Sequence, residues 1–181
     1  MHLQRPRYLL SCALLGASLL LSACGFHLRG TGVDDIKLNE LHVSARDNNG
    51  PTHQRVLEAL RTNGVTINSA APYHLQLLDE PQQRQAISYA SHSTPAEYEL
   101  RRRLIFQITN SAGQPLIGPE SLSATRGYVR DRDNVTGSSE EEALLQREMR
   151  EDLTRQLMVR LSRISAKDLA DREQALERSA D

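Results

Sequence analysis

The side chain with the clearest chemical signal is Cys24. In Leu21-Ser22-Ala23-Cys24-Gly25 a thiol directly follows a leucine and two small residues. A thiolate is a good nucleophile, and small neighbours leave the backbone open to a protease at the Ala23–Cys24 bond. That spacing suits modification of the sulfur and cleavage before it, rather than catalysis by the chain. The other reactive types are scattered. His27, His42, His53, His74 and His92 show no HxH or HxxxH spacing, so no metal site is expected. No GxSxG elbow, GxxxxGK[ST] loop or GxGxxG turn occurs, and Gly137-Ser138-Ser139 reads as the start of a helix. Glu97 and Glu99 are a candidate acid pair, but they share an exposed strand face with arginines and read as their ion-pair partners. The chain is therefore expected not to be an enzyme and to bind no nucleotide.

The segment before Cys24 explains its setting. His2, Arg5 and Arg7 form a basic start, residues 8–21 are apolar, and Ser22 and Ala23 are small. This is the layout of a secretory signal peptide. The apolar run falls short of the roughly 20 residues that a membrane span requires. The five residues around Cys24 match the bacterial lipobox. In proteins of that kind the sulfur receives a diacylglycerol, the leader is cut off before the cysteine, and the new amine is acylated. Three acyl chains exceed the two signals that stable anchoring takes. Gly25 rather than Asp after the cysteine resembles lipoproteins sent to the outer membrane.

Whole-chain composition hides this division. The 181 residues carry 22 Lys+Arg against 23 Asp+Glu. Loss of residues 1–23 removes Arg5 and Arg7 and no acid, which leaves 20 basic against 23 acidic side chains. This balance is not that of a protein that coats nucleic acid. Cys12 leaves with the leader and Cys24 is blocked by lipid. The mature chain then has no free thiol, which suits an oxidising compartment.

The remaining chain predicts an ordered set of elements. Residues 24–36, rich in Gly, Thr and Asp, read as a tether. Leu41 and Val43 alternate with polar neighbours in a strand over 38–44. A helix over 51–63 is bracketed by Pro51 and Gly64. Extended segments follow at 65–67, 73–80 and 86–91, with a break near Pro81. The strand over 97–109 carries Tyr98, Leu100, Leu104, Phe106 and Ile108 on one face, with Arg102 intruding, and polar residues on the other. Asn110-Ser111-Ala112-Gly113 predicts a hairpin turn into a strand over 121–131. Leu145, Met149, Leu153, Leu157, Leu161 and Ile164 then make a helical stripe, with Ser138 and Ser139 as candidate caps. The fold expected is α+β: a two-layer sandwich of a four-stranded, mostly antiparallel or mixed sheet covered by two helices, in the order β-α-β-β-β-α. The domain runs from 37 to 165, and 166–181 reads as a polar, flexible tail.

With the motifs in hand, a family resemblance emerges. Gly25-Phe26-His27-Leu28-Arg29-Gly30 follows the lipobox directly, Asn49-Gly50-Pro51 precedes the first helix, and Leu60-Arg61-Thr62-Asn63-Gly64-Val65 closes it. Ala96-Glu97-Tyr98-Glu99-Leu100 opens the long strand, and Leu161-Ser162-Arg163-Ile164 ends the last helix. In this order they resemble the LptE family of LPS-assembly lipoproteins over residues 24–165, with the weakest correspondence at 81–95 and beyond 166. The resemblance implies a non-enzymatic lipoprotein on the periplasmic side of the outer membrane. Such a protein plugs the LptD β-barrel one to one, helps it assemble and binds LPS on its way to the outer leaflet. It implies no cofactor beyond the acyl groups on Cys24. It also implies a two-helix, four-stranded fold, as the pattern does.

LPS carries phosphates and sugars, so its binding surface should present guanidinium forks. The basic residues after the leader are 18 Arg and only 2 Lys (Lys37 and Lys167). Arg101 and Arg103 share the polar face of the long strand. Arg130 and Arg132 lie near the end of the next one, with Arg126 further back. Hairpin pairing of the two strands is expected to bring these arginines toward one edge. Tyr98 and Phe106 read as sheet core, and Phe26 as resting at the membrane interface. A competing reading is an accessory lipoprotein of another barrel-assembly or lipid-transport machine.

Overall fold

The leucine stripe near the C-terminus becomes the longest helix of the molecule, and the sheet is built beneath it. The computed structural model describes residues 36–90, 94–130 and 135–180. The elements run β1 (Glu40–Ala45), α1 (Pro51–Thr62), β2 (Thr66–Ile67), β3 (Tyr73–Asp79), β4 (Gln82–Ala90), β5 (Thr94–Asn110), β6 (Pro115–Val129), α2 (Val135–Ser162) and α3 (Ala166–Ala180). Cys24, Ala23, Phe26 and Arg132 lie outside the described residues.

The sheet is mixed, as expected, and its centre is β5. β1 pairs in parallel with β2 and with β3, whereas β3, β4 and β6 each pair antiparallel with β5. β3 takes residues 105–110 of β5 and β4 takes 94–102, so the two follow one another along one edge. β6 lies along the other edge. The parallel return from β1 to β3 passes through α1, because parallel neighbours require a crossover. The four expected strand lines are therefore present. The two-residue β2 adds an edge beyond them, and the second line is split into β3 and β4 at Glu80-Pro81.

The core lies between this sheet and the helices. Leu41, Leu75, Leu100, Leu104, Phe106 and Ile108 of the sheet are at most 1% exposed. So are Val56 and Leu60 of α1 and Met149, Leu153, Leu157 and Leu161 of α2. Each such side chain stabilises the fold by roughly 1.5–3 kcal/mol through removal from water. Tyr98 is half-buried and packs against the edge of this core. α1 starts at Pro51 and ends before Gly64, whose φ of +80° is the left-handed conformation that a glycine after a helix supplies.

Three expectations are corrected. First, β6 begins at Pro115, not 121. Gly118 (φ +90°) sits where the β5–β6 register shifts, and a Cβ there would come within 2.9 Å of the Phe106 carbonyl oxygen. The bulge lets a Gly-Pro pair stay within a strand. Second, α2 begins at Val135, so Ser138 and Ser139 lie inside the helix and do not cap it from outside. Third, residues 166–180 form α3. Ser165 Oγ accepts the Asp168 N–H at 3.1 Å while Asp168 accepts the Ser165 N–H at 2.9 Å, a reciprocal capping box. The Ser165 hydroxyl also donates to the Asp168 carboxylate at 2.7 Å, and this bond, ahead of that from the Ser165 N–H, holds the Asp168 carboxyl below its usual range. Leu169 is fully buried and Leu176 packs against the core, so the domain runs past 165.

Candidate functional site: the arginine-bearing strands

Six guanidinium groups, those of Arg84, Arg101, Arg102, Arg103, Arg126 and Arg130, mark the end of the sheet built by β4, the first half of β5 and the end of β6. Alternation along β5 separates them by face. Leu100, Arg102 and Leu104 point toward the helices, and Arg101 and Arg103 point to the open face. Arg101 donates to Glu99 at 2.9 Å along the same strand, the local ion pair that the sequence suggests. Arg103 is exposed and forms no ion pair among the described residues. Its backbone is held in the sheet by an N–H···O bond to Pro81 at 3.0 Å.

The hairpin expected between β5 and β6 forms, but it does not gather all the arginines. Arg101 lies opposite Thr125, and Arg103 opposite Ser123. Arg126 lies between the inward residues Ala124 and Tyr128, and reaches Asp152 of α2 at 3.4 Å. Arg130 shares that inward parity. It follows Thr125 by five residues, about 17 Å of extended chain. Arg101 and Arg103 thus form one pair on the open face, and Arg130 belongs to a second cluster.

Sequence reasoning missed the centre of that second cluster, Arg84 of β4. Its guanidinium lies 5.2 Å over the Tyr98 ring and donates to Glu142 at 3.2 Å. Tyr128 stacks on Tyr98 at 5.5 Å and donates its hydroxyl to Glu142 at 2.7 Å. Hydrogen bonding to Tyr128, and then to Glu142, holds the Arg84 guanidinium more firmly protonated than usual. Burial, followed by the Glu142 carboxylate, pushes the Tyr128 phenol up. Arg84, Tyr128, Arg130, Ser138, Ser139 and Glu142 surround a cavity of about 150 Å³. The opening turns of α2 add the positive end of a helix dipole. Two guanidinium groups against one carboxylate leave this cavity cationic. No local pattern announces Arg84, which stands among Gln82, Gln83 and Gln85, and the break at Pro81 hides its parity.

A larger cavity of about 360 Å³ lies near the β1–α1 turn, lined among others by Arg46, Asp47, Thr52, Asp79, Glu80 and Leu77. Its three carboxylates face one guanidinium at the wall, the wrong balance for a phosphate. Beside it, Arg102 is only 4% exposed. It binds Glu80 directly, Gln82 at 2.8 Å and Gln146 at 2.7 Å. Thr52 donates to the same Glu80 oxygen at 2.8 Å. This buried network is structural, because every partner belongs to the chain and ties β5 to β4, α1 and α2.

On the open face below the arginines, His42 and His74 stack at 3.9 Å. His74 also meets Ser44 at 2.8 Å and Gln76 at 3.2 Å. Burial, then the His42 ring, lowers its pKa. Among the described residues no group of three or more His, Cys, Asp or Glu side chains is arranged to hold a metal. No described helix is long and apolar enough to cross a membrane, which says nothing of a β-barrel.

The layered fold places the chain in a class already represented among solved bacterial lipoproteins. Rare lipoprotein B from Shewanella oneidensis is similar with a TM-score of 0.58 and 28% identity, over 77% of this chain and 99% of that one. A minor lipoprotein from Acinetobacter baumannii is similar with a TM-score of 0.59 and 26% identity, over 68% of this chain and 90% of that one. The chain belongs to the LptE family: the family's sequence model, described as lipopolysaccharide-assembly, matches residues 38–161. The LPS-assembly lipoprotein LptE of Photorhabdus laumondii is 30% identical over 159 residues, 86% of each chain. That of Pectobacterium atrosepticum is 29% identical over 164 residues, 88% of each. No enzymatic family emerges from these comparisons.

Proposed function

We propose that this is a non-enzymatic lipoprotein of LPS assembly, anchored to the periplasmic side of the outer membrane through acyl groups on Cys24. In this reading it seats in, and plugs, a large β-barrel of the LptD kind, one to one. It contacts LPS and aids its insertion into the outer leaflet. The observation that carries the reading is family membership over residues 38–161, from β1 through nearly all of α2. The arrangement of cations supports it. Arg101 and Arg103 stand on an open sheet face, and Arg84 and Arg130 line a cationic cavity at the same end of the sheet. Guanidinium forks in both places match phosphate geometry.

The test of the LPS contact is replacement of Arg101 and Arg103 by Glu. Both side chains are solvent-facing, so the fold should persist, with an unchanged circular dichroism spectrum. LPS captured by the purified variant should fall several-fold. Unchanged capture by the folded variant would remove these two residues from the proposed LPS surface.

A further inference from the structure

The bonding direction of β5 identifies which backbone groups of β6 are free. The Arg103 N–H donates to the Pro81 carbonyl, so the Arg103 backbone points toward β4 and away from β6. Arg103 lies opposite Ser123. In an antiparallel pair, opposed residues either exchange both hydrogen bonds or both point away. Ser123 therefore directs its N–H and C=O outward, and the alternation extends this to Ser121, Thr125, Gly127 and Val129, whose register is unbroken. Gln156 reaches the Ser123 carbonyl at 3.2 Å, which confirms that it faces outward, and Arg126 donates to the Thr125 carbonyl at 2.8 Å. The five N–H groups have no partner among the described residues.

This edge carries only part of the usual protection, the inward charge of Arg126. Proteins guard free edges with lysine, proline, bulges or inward charges. The first part of β6 has such guards in Pro115, Pro119 and the bulge at Gly118. Residues 121–129 contain neither lysine nor proline, and all five outward-bonding residues are exposed. On the open face their side chains are small: serine, serine, threonine, none, and valine. Arg103 and Arg101 stand directly behind Ser123 and Thr125 on that face. A strand added beyond β6 would sit about 4.8 Å away. Across serine and threonine, its longer side chains would reach those guanidinium groups. Glu99 already pairs Arg101 on that face, whereas Arg103 forms no ion pair among the described residues, so a carboxylate for Arg103 opposite Ser123 has to come from the incoming strand.

We propose that the free edge of β6 at 121–129 is an interaction surface that takes an extended, acidic segment of the partner polypeptide as an added strand. The proposal rests on the barrel-partner reading above and specifies how the partner is gripped. Two double variants of the full lipidated chain test it. Ser123→Pro with Thr125→Pro removes two outward N–H groups and no hydrogen bond within the sheet. Ser123→Glu with Thr125→Glu keeps the backbone intact and opposes an acidic strand. Each is purified by an affinity tag from outer membranes in mild detergent beside the wild type, after its thermal midpoint is checked. The expected result is equimolar barrel with the wild type and at least a tenfold loss with each folded variant. If the proline variant unfolds, the glutamate variant decides. Wild-type amounts of barrel on a folded variant would overturn the edge proposal and leave the partner reading standing. A wild type that brings no barrel would overturn both.

Discussion

Arg102 occupies the middle of an apolar stripe, between Leu100 and Leu104, and its charge is met by side chains from far along the chain. Glu80, Gln82 and Gln146 lie 22, 20 and 44 residues away. Removal of one member of such a buried ion pair leaves the other poorly solvated. Arg102→Ala should therefore lower the unfolding free energy by about 3 kcal/mol, read from urea denaturation. Arg102→Met combined with Glu80→Gln should recover most of it. A single variant as stable as the wild type would mean that the network contributes nothing. The alternation showed in advance that Arg102 faces the core, but its partners arrive through tertiary packing that no local pattern encodes. The stacked His42 and His74 give a second consequence. The folded pKa of His74 lies below its unfolded value of about 6.5, so the unfolded chain binds the proton more readily. The contribution is complete above that pH and is lost as pH falls from there through the lower folded value. The thermal midpoint should drop across this acid window, and His74→Gln should flatten the drop. Identical pH profiles for the two proteins would refute the assignment.

The elements differ in how openly the sequence announces them. The stripe from Leu145 to Leu161 is unmistakable as a helix, because its steps of four residues keep one face turned to the sheet. Its start is less plain, because Ser138 and Ser139, followed by glutamates, look like caps although the helix begins at Val135. Local pattern starts β6 too late because Gly118 and Pro119 signal a turn, whereas register pairing with β5 carries the strand through them. α3 reads as a tail in the sequence because its apolar residues are few. Its signals were the Ser165–Asp168 box and the seven-residue spacing of Leu169 and Leu176. The Leu169 side chain is fully buried. Leu169→Ala should cost about 3 kcal/mol and lower the thermal midpoint. A change of under half a kcal/mol would show that α3 is not part of the cooperative unit.

For the whole molecule, a cationic sheet end stands at one extremity of the elongated β5–β6 pair. The sequence supplied the candidates Arg101, Arg103, Arg130 and Arg132, but their grouping depends on strand parity and on the bulge at Gly118. Arg101 and Arg103 stay together because they are two apart on one strand. Arg130 has the opposite parity and joins Arg84, whose place was hidden by the break at Pro81. The lipobox reading of residues 21–25 rests on the sequence alone, because such a segment is recognised by enzymes as a linear stretch, independent of any fold. Together with family membership, these features support the proposal of a domain held at a membrane by lipid and acting beside a larger partner. The measurement that tests this most directly is affinity purification of the tagged, lipidated protein from outer membranes in mild detergent, with quantification of what is retained. The account predicts one large outer-membrane β-barrel in equimolar amount, with LPS bound to the complex. A lipoprotein recovered alone, with neither barrel nor LPS, would contradict it.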